Sequence, residues 1–193
     1  MLKALFISEV RIKILDLLLK KPDEDLHVRA IVRKVGAEIN AVRRELENLT
    51  KIHLLSKRQS SNRLYYSVNT SHLFYPELLA LLSKEKGLGA DIIKYEKELG
   101  DVEFAIISKP FLRGKPSTQL DVDLFLVGDI KMGVLSQIIG DFEKSHRREI
   151  NYSVMSSEEF KFRKRKSDQF IIKILVQSKT MLIGDEDKFH SII

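Results

Sequence analysis

The sequence predicts an α+β protein made of two dissimilar halves, on three observations. Residues 26–69 place two short amphipathic helices before a pair of β-rich runs. At Asp101 the hydrophobic period changes, from helical spacing to short strands separated by helices. Charge is also unevenly placed. The 193 residues carry a net charge of +6, and segment 26–69 alone has nine Lys/Arg against three acids, a surplus of the same size. Over 91–193 seventeen basic residues balance seventeen acidic ones. The layout expected is a basic domain over 1–72, helical linker and dimerisation segments over 73–100, and an α/β domain over 101–193.

The first helix is expected over 9–20. Ser8 is a plausible N-cap, Glu9 suits the helix dipole, and Val10, Ile14, Leu17 and Leu18 follow at helical spacing until Pro22. Arg29–Val35 reads as a second helix, Gly36-Ala37 as a tight turn, and Glu38–Lys51 as a third helix. Val42, Leu46 and Leu49 make its buried stripe, which leaves Asn40, Arg43, Arg44 and Glu47 on the other side. LLSKRQ and RLYYSVN then flank Ser60-Ser61-Asn62 as a hairpin with a polar, basic tip. Pro76 opens a leucine-rich helix carrying Leu78, Leu79, Leu81 and Leu82, broken at Gly87 and Gly89 and resumed until Gly100. Beyond it, strands are expected at 104–107, 122–127, 150–155 and 180–183. Helices are expected at about 132–144 and 157–177, the latter with a break near Ser167.

Helix, turn, arginine-rich helix and basic hairpin, in that order, are the residue pattern of a winged helix-turn-helix. In that arrangement the third helix enters the DNA major groove and the wing holds backbone. A duplex-binding surface needs a local cationic excess to neutralise phosphates and release counterions. The candidate DNA-binding residues are therefore Asn40, Arg43, Arg44, Lys51, Lys57, Arg58, Asn62 and Arg63. Arg43 or Arg44 is expected to reach guanine edges, and Lys57, Arg58 and Arg63 to hold phosphate. The protein is expected to be a homodimer on double-stranded DNA, paired through the first helix and the leucine-rich helix. No apolar run approaches a membrane span, and zero cysteines exclude disulfides, thiolate zinc sites and cysteine nucleophiles. A reducing cytoplasm is the expected home. The five histidines lack paired metal spacing, and the basic run at 161–166 reads as a solvated helix face.

Two resemblances cover nearly the whole chain. EINAVRRELENLTKIHLLSKRQSSNRLYYSVN resembles the ArsR-type winged-helix regulators, with Leu46 and Leu49 closing the third helix before strand, wing and aromatic strand. Where many of that family have glycine before the strand leucine, this chain has His53. From Phe104 the chain resembles the small nucleotidyltransferase domains of the polymerase-β superfamily. Ser108, Arg113-Gly114 and Asp121-Val122-Asp123 stand for that family's Gly-Ser, Arg-Gly and Asp-x-Asp.

The second resemblance implies a nucleotide held at Ser108, Arg113 and Gly114. It also implies Mg²⁺ held by Asp121 and Asp123 on one strand face, with a third acid from a neighbouring strand. Ser108, Asp121 and Asp123 are thus the vestigial catalytic candidates. Ile107 stands at the signature glycine, two extra residues separate Ser108 from Arg113, and INYSVMS offers Asn151 and Ser153 instead of an acid. The expectation is a DNA-binding transcriptional regulator with an inactive, ligand-sensing nucleotidyltransferase-like domain, a combination the resemblance implies for prokaryotes. The rival expectations are an active nucleotidyltransferase targeted by a winged helix, and an antitoxin-like regulator that binds a protein partner.

Overall fold

The computed structural model describes residues 2–191 and is a mixed α+β structure with two sheets. It divides into two compact units, Met1–Glu85 and Lys86–Ile193. Residues 73–100, expected as a linker, are instead shared out. The leucine-rich helix belongs to the first unit and the helices after Gly87 to the second.

In the first unit the elements are α1 (Leu2–Leu5), α2 (Glu9–Leu19), β1 (Leu26–His27), α3 (Val28–Val35), α4 (Ile39–Lys51), β2 (Leu55–Ser60), β3 (Arg63–Val68) and α5 (Tyr75–Glu85). Local chemistry sets their ends. Ser8 Oγ accepts from the Arg11 N–H at 3.2 Å and starts α2. His27 Nδ1 accepts from the Ala30 N–H, and Glu38 Oε2 from the Ala41 N–H, capping α3 and α4. Gly36 ends α3 at φ +62, and a Cβ there would meet nothing within 4 Å, so its glycine answers to backbone conformation alone. α4 ends in a Schellman motif, with the Leu54 N–H on the Leu49 carbonyl and the His53 N–H on that of Thr50. His53 holds the left-handed position at φ +61, the conformation that glycine adopts without strain.

The buried face of α2 is Ile12, Ile14, Leu15, Leu18 and Leu19, turned away from the expected Val10 and Leu17. It meets Ile31 and Val35 of α3 and the Val42–Leu46–Leu49 stripe of α4, all buried as the spacing required. β1, too short for any sequence pattern, pairs with β3, so the hairpin becomes a three-stranded antiparallel sheet ordered β1–β3–β2. Ser60 pairs with Arg63, which leaves Ser61-Asn62 as a two-residue turn with Ser61 at φ +52. On α5, Tyr75 donates to the Leu19 carbonyl, and Leu79 and Leu82 are core residues of the unit.

The second unit holds α6 (Leu88–Lys94), α7 (Glu96–Leu99), β4 (Gly100–Ser108), α8 (Lys109–Leu112), β5 (Leu124–Ile130), α9 (Met132–His146), β6 (Tyr152–Met155), α10 (Ser157–Arg165), α11 (Gln169–Val176), β7 (Lys179–Ile183) and α12 (Glu186–His190). Its sheet runs β6–β5–β4–β7, parallel only between β5 and β6. Phe104 and Ile106 share a cluster with Phe125, Val127, Phe160 and Phe189, while Ala105, Ile107, Leu124 and Leu126 are fully buried as well. The sheet is therefore covered on both faces, which is why β5 reads as an unbroken apolar run rather than an alternation. Ser167 adopts φ +51 and separates α10 from α11, as the sequence break suggested, and Asp168 then caps α11. β4 and β5 approach so closely at Gly128 that a Cβ there would lie 2.0 Å from the Asp101 carbonyl oxygen.

One polar contact crosses the core of the first unit. Arg11 Nε on α2 donates to Glu45 Oε2 on α4 at 2.8 Å, and the Glu45 side chain is only 6% exposed. Burial alone would raise the Glu45 pKa; hydrogen bonds from Ser8 and Arg11, the Arg11 charge and Asn48 outweigh it, and the net shift is downward. Arg11→Ala leaves that carboxylate without its cation and should cost about 2 kcal/mol, below the 3–5 typical of fully buried pairs because Arg11 is partly hydrated. A lowered folded-state pKa means that the contribution is complete above the unfolded value near 4.3 and fades as pH falls through the lower folded value. Urea unfolding followed by circular dichroism between about pH 3 and 7 should show part of the acid slope missing in Glu45→Gln. An unchanged slope in that variant would exclude the assignment.

Candidate nucleic-acid interface

α4 turns its second face to solvent. With Glu45 inside beside Val42, Leu46 and Leu49, the residues Asn40, Arg43, Arg44, Glu47 and Lys51 are all exposed. The wing adds Lys57, Arg58, Asn62 and Arg63, also exposed, and α3 adds Arg29 at its start. Elsewhere in this unit Lys3 pairs with Glu9, Arg11 with Glu45, Lys20 with Asp16 and Lys21 with Glu24, while Lys13, Arg33, Lys34 and Lys84 form no ion pair among the described residues. Among the described residues Arg29, Arg43, Arg44, Lys51, Lys57 and Arg63 form no ion pair. Unneutralised side chains on one surface make a field attractive to a polyanion.

Several of them meet at a cleft. Arg29, Arg43, Glu47, Asn62 and Arg63 line, with His27, a cleft of ≈ 620 Å³ between the start of α3, the middle of α4 and the wing. The structure thus gathers Arg43, Asn62 and Arg63, far apart in sequence, around one groove. Sequence reasoning omitted Arg29 and Glu47. Only the pairing of β1 with β3 shows that the start of α3 lies against the wing, and Glu47, expected on the outward face of the third helix, was given no role there. Asn40, Arg44, Lys51 and Lys57 lie outside this cleft on the same elements.

Arg58 differs from the other wing cations. Its Nη2 donates to Asp25 Oδ2 at 2.7 Å, and its guanidinium sits 5.4 Å from the Tyr65 ring centroid. Hydrogen bonds from Arg58 and Ser67 hold the Asp25 carboxyl below the usual carboxylate range. Arg58, expected to hold phosphate, thus has a partner within the protein, and the exposed pair fastens the wing to the turn before β1.

In the second unit the end of β4 and the approaches to β5 and β6 bring Ser108, Asp123 and Asn151 together. The Ser108 N–H donates to the Asp123 carbonyl oxygen and the Asp123 N–H to that of Asn151. Asp121 and Asp123 precede β5 rather than sharing a strand face, which corrects the expected placement. Asp123 is 2% exposed and accepts on both oxygens, from the Ser117 hydroxyl at 2.6 Å and the Asn151 N–H at 3.1 Å. Asp121 accepts from the Thr118 N–H and hydroxyl, which lower its pKa, and Lys173 Nζ lies 3.8 Å away. Asn151 uses its amide on the Thr118 carbonyl, and Arg148 donates to the carbonyls of Phe111 and Lys115.

The expected phosphate cradle is occupied in the same way. The Lys109 N–H bonds the Ser178 carbonyl, Pro110 has no N–H, and the Phe111 N–H is taken by Ser108 Oγ at 3.2 Å. The Arg113 and Gly114 amides bond back to Lys109 and Phe111. Among the described residues no group of three or more His, Cys, Asp or Glu could hold a metal ion. These donors and acceptors do not fit a two-metal nucleotide site. The backbone amides that it needs are committed within the protein, and a third acid is missing beside two carboxylates that already accept hydrogen bonds from their own loop.

The run at 161–166 is divided as well. Arg163 pairs with Glu159, Lys161 lies 3.8 Å from Glu103, and Lys164 donates to the Phe189 carbonyl.

No family model, curated protein or solved structure matches the chain. Among the described residues no helix is long and apolar enough to cross a membrane.

If Asp123 is a structural acceptor rather than a metal ligand, Asp123→Ala leaves the Ser117 hydroxyl and the Asn151 N–H unpaired. It should then lower the unfolding free energy by about 2 kcal/mol. Millimolar Mg²⁺ should leave the parent's urea midpoint where it was. A midpoint that rises with Mg²⁺, and ceases to rise in the variant, would restore the metal-site reading.

Proposed function

We propose that this protein is a sequence-specific DNA-binding transcriptional regulator whose first unit reads duplex DNA as a winged helix. The observation that supports it best is the set of exposed cations without ion-pair partners on α3, α4 and the wing. Outside this surface Lys3, Arg11, Lys20 and Lys21 face acids. In this reading α4 lies in the major groove, Arg43 and Arg44 address base edges, and Lys57 and Arg63 hold the backbone. Arg29, at the α3 side of the cleft, holds backbone phosphate, while the α4 side of the cleft faces the bases.

The second unit is proposed as a nucleotidyltransferase-like domain without transfer activity. The committed hydrogen bonds of Asp121, Asp123 and residues 108–114 support that reading, as does the neutral Asn151 in place of a third acid.

A homodimer on paired half-sites is part of the same proposal. The leucine-rich helix supports it less than its sequence suggested, because Leu79 and Leu82 are spent inside the unit. Leu73 and Phe74, just before and at the approach to α5, are 78% and 58% exposed.

Fluorescence anisotropy on selected and scrambled duplexes tests the reading. The Arg43→Ala/Arg44→Ala double variant should lose at least tenfold on the selected site, from roughly 1–3 kcal/mol per base contact. Lys57→Ala and Arg63→Ala should each weaken all duplexes alike and reduce the salt slope by about one. Equal binding by parent and double variant would reject α4 as the reading element. Sedimentation at micromolar concentration should give a dimer, and a clean monomer would remove that part of the proposal.

A further inference from the structure

The three acids of the basic segment have three different positions. Glu45 is buried against Arg11, and Glu38 caps α4. Glu47 is exposed, lines the cleft with Arg29, Arg43, Asn62 and Arg63, and among the described residues forms no hydrogen bond or ion pair. Arg43 sits one turn before it at the spacing that favours helical ion pairs, yet no ion pair joins them. Lys51, one turn after it, stands at the same spacing and also forms no ion pair with it, so the carboxylate is left open toward the cleft.

On a surface that meets phosphates an unmatched carboxylate repels its target. The duplex groups that welcome one are the exocyclic amino groups in the major groove. Adenine sets its N7 acceptor beside the N6 amino group, whereas the major-groove edge of cytosine itself carries the N4 amino group and no acceptor. A carboxylate therefore distinguishes cytosine. Side chains one helical turn apart stand about 5–6 Å from each other at Cβ, within reach of one base pair or two successive ones.

Resting on the DNA-reading proposal above, we propose that Glu47 is a specificity-determining residue that accepts a hydrogen bond from cytosine N4 in the major groove. Arg43 reads guanine in the same or the adjacent base pair. Each half-site accordingly carries a G·C pair beneath the middle of α4.

Selection of the full-length protein and its Glu47 variants on a randomised duplex pool tests this. Anisotropy on the enriched and a scrambled duplex follows. The parent should enrich cytosine at one position of each half-site. Glu47→Ala should lose that preference, bind the enriched duplex about tenfold more weakly, and bind the scrambled duplex as well or better. Glu47→Gln should shift the position toward adenine, since a glutamine amide matches the N6/N7 edge. Tighter binding of both duplexes by Glu47→Ala, with the sequence preference intact, would overturn the inference while leaving the DNA-reading proposal standing. A parent that binds no duplex would overturn both.

Discussion

A carboxylate withdrawn from water must be matched, and the first unit is arranged around one such match. Glu45 lies in the same helical register as the apolar stripe of α4, so its burial decides which face of that helix turns inward. Arg11 and Ser8 reach it from the opening of α2, which ties the angle between the two helices to a polar contact that tolerates little rotation. Apolar packing alone would permit small slides of α4 along α2; a charge-assisted hydrogen bond at 2.8 Å does not. The outward placement of Arg43, Arg44 and Glu47 follows from it. Removing one acid from the surface also leaves the exposed part of the segment more cationic than its composition indicates.

The second unit applies the same accounting to a different end. Residue types that could hold nucleotide and metal occur in order and converge at one end of the strands β4, β5 and β6, but each carboxylate already has a donor. Asp123 serves as a buried junction between the segment before β5 and the segment before β6, and Asp121 closes a turn on Thr118. The side chain that lies near Asp121 is a lysine, not another carboxylate, so the local charge is balanced without an ion. Whether an Asp-x-Asp pair does chemistry or holds a loop depends on its free lone pairs, which identity and spacing do not reveal.

Much of the architecture was legible because it rests on short-range rules. The cap at Ser8, the turn at Gly36 and the break at Ser167 all act within a few residues. The stripe of α4 follows helical periodicity. What stayed hidden depends on partners distant in sequence. β1 is two residues long and exists only because β3 lies beside it. The commitment of Arg58 to Asp25 spans 33 residues, and that of Arg11 to Glu45 spans 34. The buried face of α2 was misjudged because both of its sides carry leucines, and packing selects between them. The cleft residues Arg29 and Glu47 were missed for a related reason: each is an ordinary surface charge until the wing is folded against it.

The wing itself is secured at its root along its β3 edge. β1 flanks β3 on one side, β2 on the other, and Arg58 bridges from the hairpin to Asp25 while resting on Tyr65. Residues 59–64 extend beyond these ties, held by the pairing of β2 with β3 up to the Ser61-Asn62 turn. A hairpin held in this way has few conformations left to lose when it meets a large ligand, so the entropy of ordering is largely spent during folding. Encounter would then need no slow rearrangement. For a polyanionic ligand the limiting step becomes diffusion within the protein's own field, a regime in which association is quick and strongly dependent on ionic strength.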